Sequence, residues 1–175
     1  HLFVGGGRGA TSQGDGMGQN MFPSSASNVP VEVFELNSPT LIAAKELITD
    51  SAGAGRHRGA PAQRVIVGKL PSHPDPLNIY FHPNRLSFAP QGIFDGHPGT
   101  KTEVIHNGDV LSDDPSSMTN GYVTLENLDD HLILEFPSGA GVGDPKERPS
   151  ELVDRDVKNG LVSEESAKSK YGHDD

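Results

Sequence analysis

The 175-residue chain carries 14 basic and 24 acidic residues, a formal net charge of −10, which makes it a poor generic ligand for nucleic acid or an anionic membrane. It has no cysteine, which excludes a disulfide framework and a cysteine-based zinc site, and no apolar run approaches the roughly 20 residues of a membrane span. The chain contains 21 glycines and 14 prolines, a composition that disfavours long helices and favours turns, short strands and extended segments.

The first 28 residues are rich in glycine, serine and asparagine and show almost no apolar periodicity. A flexible linker is one interpretation. The other is a packed extended or polyproline II segment, because glycines recur between Gly7 and Gly18 and glycine lets backbones approach closely. The chain opens with His1 rather than methionine, and no signal-peptide pattern follows. We therefore expect a piece of a longer polypeptide.

The next part of the chain predicts a β-rich body over residues 29–145. Apolar residues alternate with Pro30 and Glu32, which predicts a half-buried strand over residues 29–36. Residues 40–48 fit either a short helix or a strand. Further strands are predicted, with a proline-rich loop between the first two, over residues 64–70, 85–88 and 101–105. Residues 122–126 and 131–136 predict an antiparallel hairpin.

The tail changes character and predicts a helical hairpin over residues 146–175. Ser150 can cap a helix over residues 151–158, which Asn159-Gly160 would end. Ser163 can cap a second helix over residues 164–170, whose acidic first turn and basic last turn suit the helix dipole.

Two familiar kinds of site receive little support. The glycine clusters lack the Gly-x-Gly-x-x-Gly spacing between a strand and a helix that a dinucleotide requires, and no phosphate-binding Gly-Lys-Ser/Thr loop occurs. The eight histidines are scattered among predicted loops, which favours solvated side chains. A zinc site built from His82, Asp95 and His97 is the alternative interpretation.

Arg56-His57-Arg58 is the one dense positive cluster in this acidic chain. Either it forms a turn that pairs with a neighbouring carboxylate, or it clamps an anion, because guanidinium binds carboxylate and phosphate bidentately. Glu32, near Asn28, is another candidate polar site, with a solvent-facing carboxylate as the alternative. The candidate substrate- or intermediate-binding residues are therefore Asn28, Glu32, Arg56 and Arg58, and spacing assigns no catalytic constellation.

Five segments, in order, match the pattern of one known family. Residues 28–35 (NVPVEVFE) resemble its NTPVEVLE, residues 50–59 (DSAGAGRHRG) its DSGGAGRYRG, and residues 92–99 (GIFDGHPG) its GLFGGxPG. Residues 138–148 (SGAGVGDPKER) resemble GGGGYGDPxER, and residues 157–172 resemble its VxxGxVSxExAxxxYG ending. The chain thus resembles the C-terminal part of the B-type subunit in the hydantoinase B/oxoprolinase family, which includes N-methylhydantoinase, caprolactamase, and acetone and acetophenone carboxylases.

The resemblance implies a mainly β fold, with two sheets in a barrel-like arrangement, glycine-rich extended or polyproline II segments and the short C-terminal helical hairpin. It also implies a cytoplasmic hetero-oligomer with two partners, a hydantoinase A-like ATP-binding subunit and the N-terminal part of the B-type subunit. ATP and Mg would bind to the partner subunit, and a divalent metal, Zn or Mn, to the missing N-terminal part. The resemblance carries no metal ligand onto this chain, and we expect no nucleic acid or membrane partner.

The function that follows is ATP-dependent, and its chemistry stays open between two classes. A carboxylase acting on a ketone is slightly favoured over hydrolysis of a cyclic amide such as a hydantoin, oxoproline or lactam. In either class we expect this chain to be inactive alone and to form and seal part of the cavity. Substitutions within the motifs, such as Ala52 for glycine and Val142 for an aromatic residue, indicate a divergent branch. A non-enzymatic β-rich binding module is the competing interpretation.

Overall fold

The computed structural model describes Leu2 and residues 4–19, 29–113 and 121–173. These residues form the following helices and strands, in chain order: α1 (Val31–Leu36), β1 (Thr40–Leu47), β2 (Gln63–Lys69), β3 (Leu77–Phe81), β4 (Glu103–His106), β5 (Asp109–Val110), β6 (Gly121–Leu125), β7 (Leu132–Phe136), α2 (Ser150–Lys158) and α3 (Glu164–Tyr171). Short 3-10 turns occur at Leu111–Asp113 and Pro145–Glu147. No helix within these ranges is long and apolar enough to cross a membrane.

The strands form two antiparallel sheets. The larger has the order β1-β2-β7-β4-β5, and β3 pairs with β6 in the smaller. Buried side chains from both sheets belong to one apolar cluster, among them Val65, Val104 and Leu132 from the larger and Phe81 and Leu125 from the smaller. The mainly β class and the two sheets are therefore confirmed. The barrel-like arrangement is not, because the described strands form no closed barrel.

The predicted strand over residues 29–36 is wrong, because this segment forms the helix α1. Pro30 occupies the N-cap position, and Val31 and Phe34, three residues apart, both pack against the core. That spacing places them on one face of a helix, whereas a strand would direct them to opposite sides. Glu35 links α1 to β1, because its Oε1 accepts a hydrogen bond of 2.7 Å from the backbone N–H of Ile42.

The predicted hairpin of residues 122–126 and 131–136 is also wrong. A turn does connect these segments, and Asp130 stabilises it by accepting the backbone N–H groups of Glu126 and Asn127 at 2.8 Å. However, β6 then pairs with β3 and β7 pairs with β2 and β4, so the two strands enter different sheets. The strands with which β6 and β7 pair are therefore distant in sequence, and the turn between them does not determine the pairing.

The other local predictions fared unevenly. Strand β2 is confirmed, and residues 40–48, which fitted a helix or a strand, form β1 in antiparallel pairing with β2. No strand forms over residues 85–88, and β3 lies inside the predicted proline-rich loop. Both tail helices are confirmed, with Ser163 capping α3 through its Oγ. Helix α2 begins one residue early, because Pro149 and not Ser150 occupies its N-cap position.

Candidate functional site

Four glycine-rich segments run side by side, and we call residues 5–16, 53–60, 92–99 and 138–143 the glycine-rich layer. Backbone hydrogen bonds of 2.7–2.9 Å join them: Ala60 N–H to Arg8 C=O, Gly139 N–H to Ala60 C=O, Gly53 N–H to Gly139 C=O, and His97 N–H to Ala54 C=O. The layer therefore behaves as one hydrogen-bonded body although most of it lies outside regular strands.

Close backbone contact explains why this layer uses glycine. A Cβ atom on Gly139 would overlap the carbonyl oxygen of Arg8, and one on Gly59 would overlap the carbonyl oxygen of Gly139. A Cβ atom on Gly7 or on Gly16 would also overlap backbone atoms. Of the two interpretations of the N-terminal segment, packed backbone is thus confirmed at these positions. Residues 20–28 lie outside the described residues.

Arg58 points into the protein from this layer. Its Nε donates to Asp156 Oδ2 at 2.9 Å and its Nη2 donates to Asp156 Oδ1 at 3.2 Å, while Nη1 donates to the carbonyl oxygen of Gly59 at 2.6 Å. Both side chains are almost completely buried. The guanidinium is therefore occupied by a carboxylate in α2, and Arg58 fastens the layer to that helix.

Arg148 extends this pair into a buried ion-pair network, which we define as Asp15, Arg58, Arg148 and Asp156. Its two terminal nitrogens each donate to a different oxygen of Asp15 at 2.8 Å, and Nη2 also donates to Asp156 Oδ2 at 2.8 Å. Asp15 in turn accepts the backbone N–H of Arg58 at 2.9 Å. Two cations and two anions thus join three distant parts of the sequence.

Burial and the charges of the network shift the pKa values of Asp15, Arg148 and the neighbouring Tyr171. Burial alone would raise the pKa of Asp15, but the hydrogen bonds and charge of Arg148 outweigh it and hold that pKa below its ordinary value. Burial would lower the pKa of Arg148, and its bonds to Asp15 raise it instead. Burial of the Tyr171 phenol raises its pKa to about 12. The carboxylate of Asp15 therefore stays ionised to lower pH than a free one.

Arg56 is exposed although it lies two residues from the buried Arg58, a spacing that would place both side chains on one face of an extended segment. The chain bends at residues 55 and 56, so that alternation does not hold here. The side chain of Arg56 is 59% exposed, and its Nη1 lies 3.8 Å from Glu147 Oε2, a long and weak ion pair. Its backbone N–H donates to the carbonyl oxygen of Gly143, whose own N–H donates to that of Ile93. We call Arg56, Ile93 and Phe94, which lie at exposed positions on these linked segments, the outer face.

The backbone at the tip of the outer face is fixed in an unusual conformation. Phe94 and Asp95 have φ values of 52° and 66°, in the left-handed region. Asp95 occupies the position where the family pattern has a glycine, and aspartate is one of the residues that tolerate this region best. The side chains of Ile93 and Phe94 are 55% and 77% exposed. The layer therefore presents a cation and two large apolar groups on rigid backbone.

The remaining candidates lie elsewhere. Glu32 is exposed in the first turn of α1, and none of the hydrogen bonds or ion pairs of the described residues joins it to Arg56 or Arg58. Asn28 lies outside the described residues. His82, Asp95 and His97 are not assembled into a zinc site. Within the described ranges no group of three or more histidine or acidic side chains could hold a metal ion, so we assign no metal to them.

Sequence reasoning missed three of the four network members, Asp15, Arg148 and Asp156. Arg148 lies 133 residues from Asp15, and no periodic pattern links the two positions. The one available signal was the Asp-Pro-x-Glu-Arg ending of a family motif, whose last residue is Arg148.

The chain is similar in sequence to known proteins. The sequence profile of the family described as hydantoinase B/oxoprolinase matches residues 1–145. The chain is 30% identical over 145 residues to an uncharacterised protein of Methanocaldococcus jannaschii, covering 82% of this chain and 24% of that protein. It is 31% identical over 150 residues to the caprolactamase subunit beta of Pseudomonas jessenii, covering 81% of this chain and 24% of that subunit.

Two solved structures share the fold. The ATP-dependent caprolactamase from Pseudomonas jessenii superposes with a TM-score of 0.73 and 26% identity, over 97% of this chain and 29% of that chain. Nucleotide-free acetone carboxylase superposes with a TM-score of 0.71 and 19% identity, over 95% of this chain and 26% of that chain. The chain therefore spans about a quarter of the length of the relatives it matches.

Proposed function

Because the chain belongs to the hydantoinase B/oxoprolinase family, we propose that it forms part of a B-type subunit in an ATP-dependent enzyme that hydrolyses a cyclic amide. The support for this substrate class is the 31% identity to caprolactamase subunit beta. Acetone carboxylase shares the fold at only 19% identity. Carboxylation of a ketone, which was slightly favoured from the sequence alone, stays a prediction.

In the proposed reaction, the ring C–N bond breaks, hydroxide from water joins the carbonyl carbon, and a proton joins the nitrogen. A phosphoryl group passes from ATP to the substrate and is released as phosphate by a second water molecule, so conversion of ATP to ADP is coupled to the opening. A hydantoinase A-like subunit, which the family resemblance implies, would phosphorylate the amide oxygen, so the enzyme must hold an anionic intermediate. A cation outside any strong ion pair is the natural ligand for such a group.

The single observation that carries the assignment to this chain is the exposed guanidinium of Arg56 on rigid backbone. Its ion pair with Glu147 is long, at 3.8 Å, so an anionic ligand can displace that carboxylate. We propose that Arg56 contacts the anionic intermediate and that Arg58, through Asp156, holds the turn in place.

The reaction class is tested on the complete complex, purified with its ATP-binding subunit. The complex is incubated with ATP and, separately, with 5-oxoproline, hydantoin, caprolactam, or acetone plus bicarbonate, and both ADP and organic products are measured. We expect ADP release that depends on one cyclic amide and yields an equal amount of ring-opened product. A bicarbonate-dependent carboxylic acid would instead establish the carboxylase, and a chain purified without any ATP-binding partner would support the binding module.

A further inference from the structure

The loop that ends in the outer face exposes more apolar surface than the proposed reaction requires. Phe88 and Phe94 are 81% and 77% exposed, and Ile93 lies between them in sequence. Scattered single apolar side chains are ordinary on a protein surface, but several within seven residues indicate an interaction site.

This loop is held rigidly. The backbone N–H of Ile93 donates to Gly141, that of Gly96 donates to Ile93, and that of Gly99 donates to Pro90. A Cβ on Gly96 would overlap the carbonyl oxygen of Gly141, so the tip lies directly on the glycine-rich layer. Because these hydrogen bonds already hold the backbone around Phe94, binding at the tip requires little further loss of backbone conformational entropy.

The charge near Phe94 limits which protein surfaces can bind this tip. Asp95 is exposed beside Phe94, and no side chain of the described residues forms an ion pair with it. The chain as a whole carries a net charge of −10, which opposes docking of a second copy of itself. The complementary surface is therefore an apolar pocket with a basic residue at its rim.

We infer that Phe94 and Ile93 insert into such a pocket on the part of a hydantoinase B-type polypeptide that the relatives contain and this chain does not. The relatives hold a copy of this fold within chains about four times as long, since it covers 24–29% of their length. In the relatives that part belongs to the same polypeptide as this fold, so it is present at high effective concentration. This inference rests on the family fold and not on the reaction, so it can fail while the proposed function holds.

The test places a photo-reactive benzoylphenylalanine at position 94 in the complete complex and identifies cross-linked peptides by mass spectrometry. The matched control carries the same group at Tyr80, which is 73% exposed but lies in β3 on the smaller sheet. We expect position 94, and not position 80, to cross-link to a segment of the B-type polypeptide outside these 175 residues. Cross-links to the ATP-binding subunit, cross-links to a second copy, or no protein cross-link would each overturn the inference.

A second measurement avoids any disturbance by the bulky label. Phe94→Ser removes the apolar side chain without opening the core, because that side chain is largely exposed. Hydrogen exchange in the complete complex should rise at least several-fold in the peptides that position 94 cross-links, while Tyr80→Ser leaves them unchanged. Unchanged exchange in Phe94→Ser would show that the pocket does not depend on this side chain and would contradict the inference.

Discussion

Arg58 and Asp156 form a buried bidentate ion pair between residues 98 positions apart, with Nε–Oδ2 and Nη2–Oδ1 distances of 2.9 and 3.2 Å. The pair fastens the glycine-rich layer to α2. Its consequence for function is that the densest positive cluster in the sequence is divided. The guanidinium of Arg58 is paired inside the protein, whereas that of Arg56 is exposed.

Asp156→Asn should destabilise the protein strongly. The substitution leaves the buried guanidinium groups of Arg58 and Arg148 with less compensating charge, and breaking a buried pair in this way costs about 3–5 kcal/mol. Asp154→Asn is the matched control, because Asp154 lies on the same helix but is 62% exposed, and its ion pair is with His173. Urea unfolding of the B-type polypeptide measures both, and equal effects would show that the network is not essential to the fold.

Gly139→Ala tests the packing of the glycine-rich layer. The new methyl group would overlap the carbonyl oxygen of Arg8, a backbone atom that cannot rotate away, so we expect a loss of roughly 2–4 kcal/mol. At Gly18 no atom lies within 4 Å of the position that a methyl group would occupy, and Gly18→Ala should leave the melting temperature nearly unchanged. If the two variants melted at the same temperature, the layer would not be packed as described.

Low pH should reduce the free energy of unfolding through protonation of Asp15. Its carboxyl titrates near 3.8 when unfolded and at a lower pH when folded, so its contribution is complete above about pH 4 and disappears as the pH falls through the folded pKa. In Asp15→Asn the decline of unfolding free energy with falling pH should be shallower. Some decline persists, because hydrogen bonds from Ser163 outweigh burial and also lower the pKa of Asp50. An unchanged slope would exclude a role for Asp15.

High pH should reduce the free energy of unfolding of the protein through ionisation of Tyr171. In the unfolded chain the phenol loses its proton near pH 10.0, whereas burial keeps the folded phenol protonated until about pH 12. The unfolded state therefore binds fewer protons in this interval, and stability falls as the pH rises. Tyr171→Phe should remove this component of the decline. Ultraviolet absorbance of the phenolate, followed with pH, provides the independent measurement, and ionisation of Tyr171 near pH 10.0 in the folded protein would contradict the account.

The parts of the fold that were predicted correctly are those that short sequence patterns indicate. The β-branched run Val65-Ile66-Val67 indicated β2, and Ser163 marked the start of α3. Asn107-Gly108, a residue pair typical of tight turns, joins β4 to β5.

Non-local contacts decided what was missed. The strand expected over residues 29–36 is a helix because Val31 and Phe34 meet a core built by distant strands. The sequence placed Arg56 and Arg58 among the candidates, yet their opposite directions depend on Asp156 and Gly143, which lie far along the chain. No pattern within a short window contains that information.

The most direct test of the proposed function is kcat/KM for the cyclic amide, measured on the complete complex with Arg56→Ala. A hydrogen-bonded charge pair to the intermediate is worth about 1.5–3 kcal/mol, so we predict a loss of roughly 10- to 100-fold with an unchanged melting temperature. Arg155→Ala is the matched control, because Arg155 is 55% exposed, close to the 59% of Arg56, and should retain full activity. Unchanged kcat/KM in Arg56→Ala would contradict the central claim that this side chain binds the anionic intermediate.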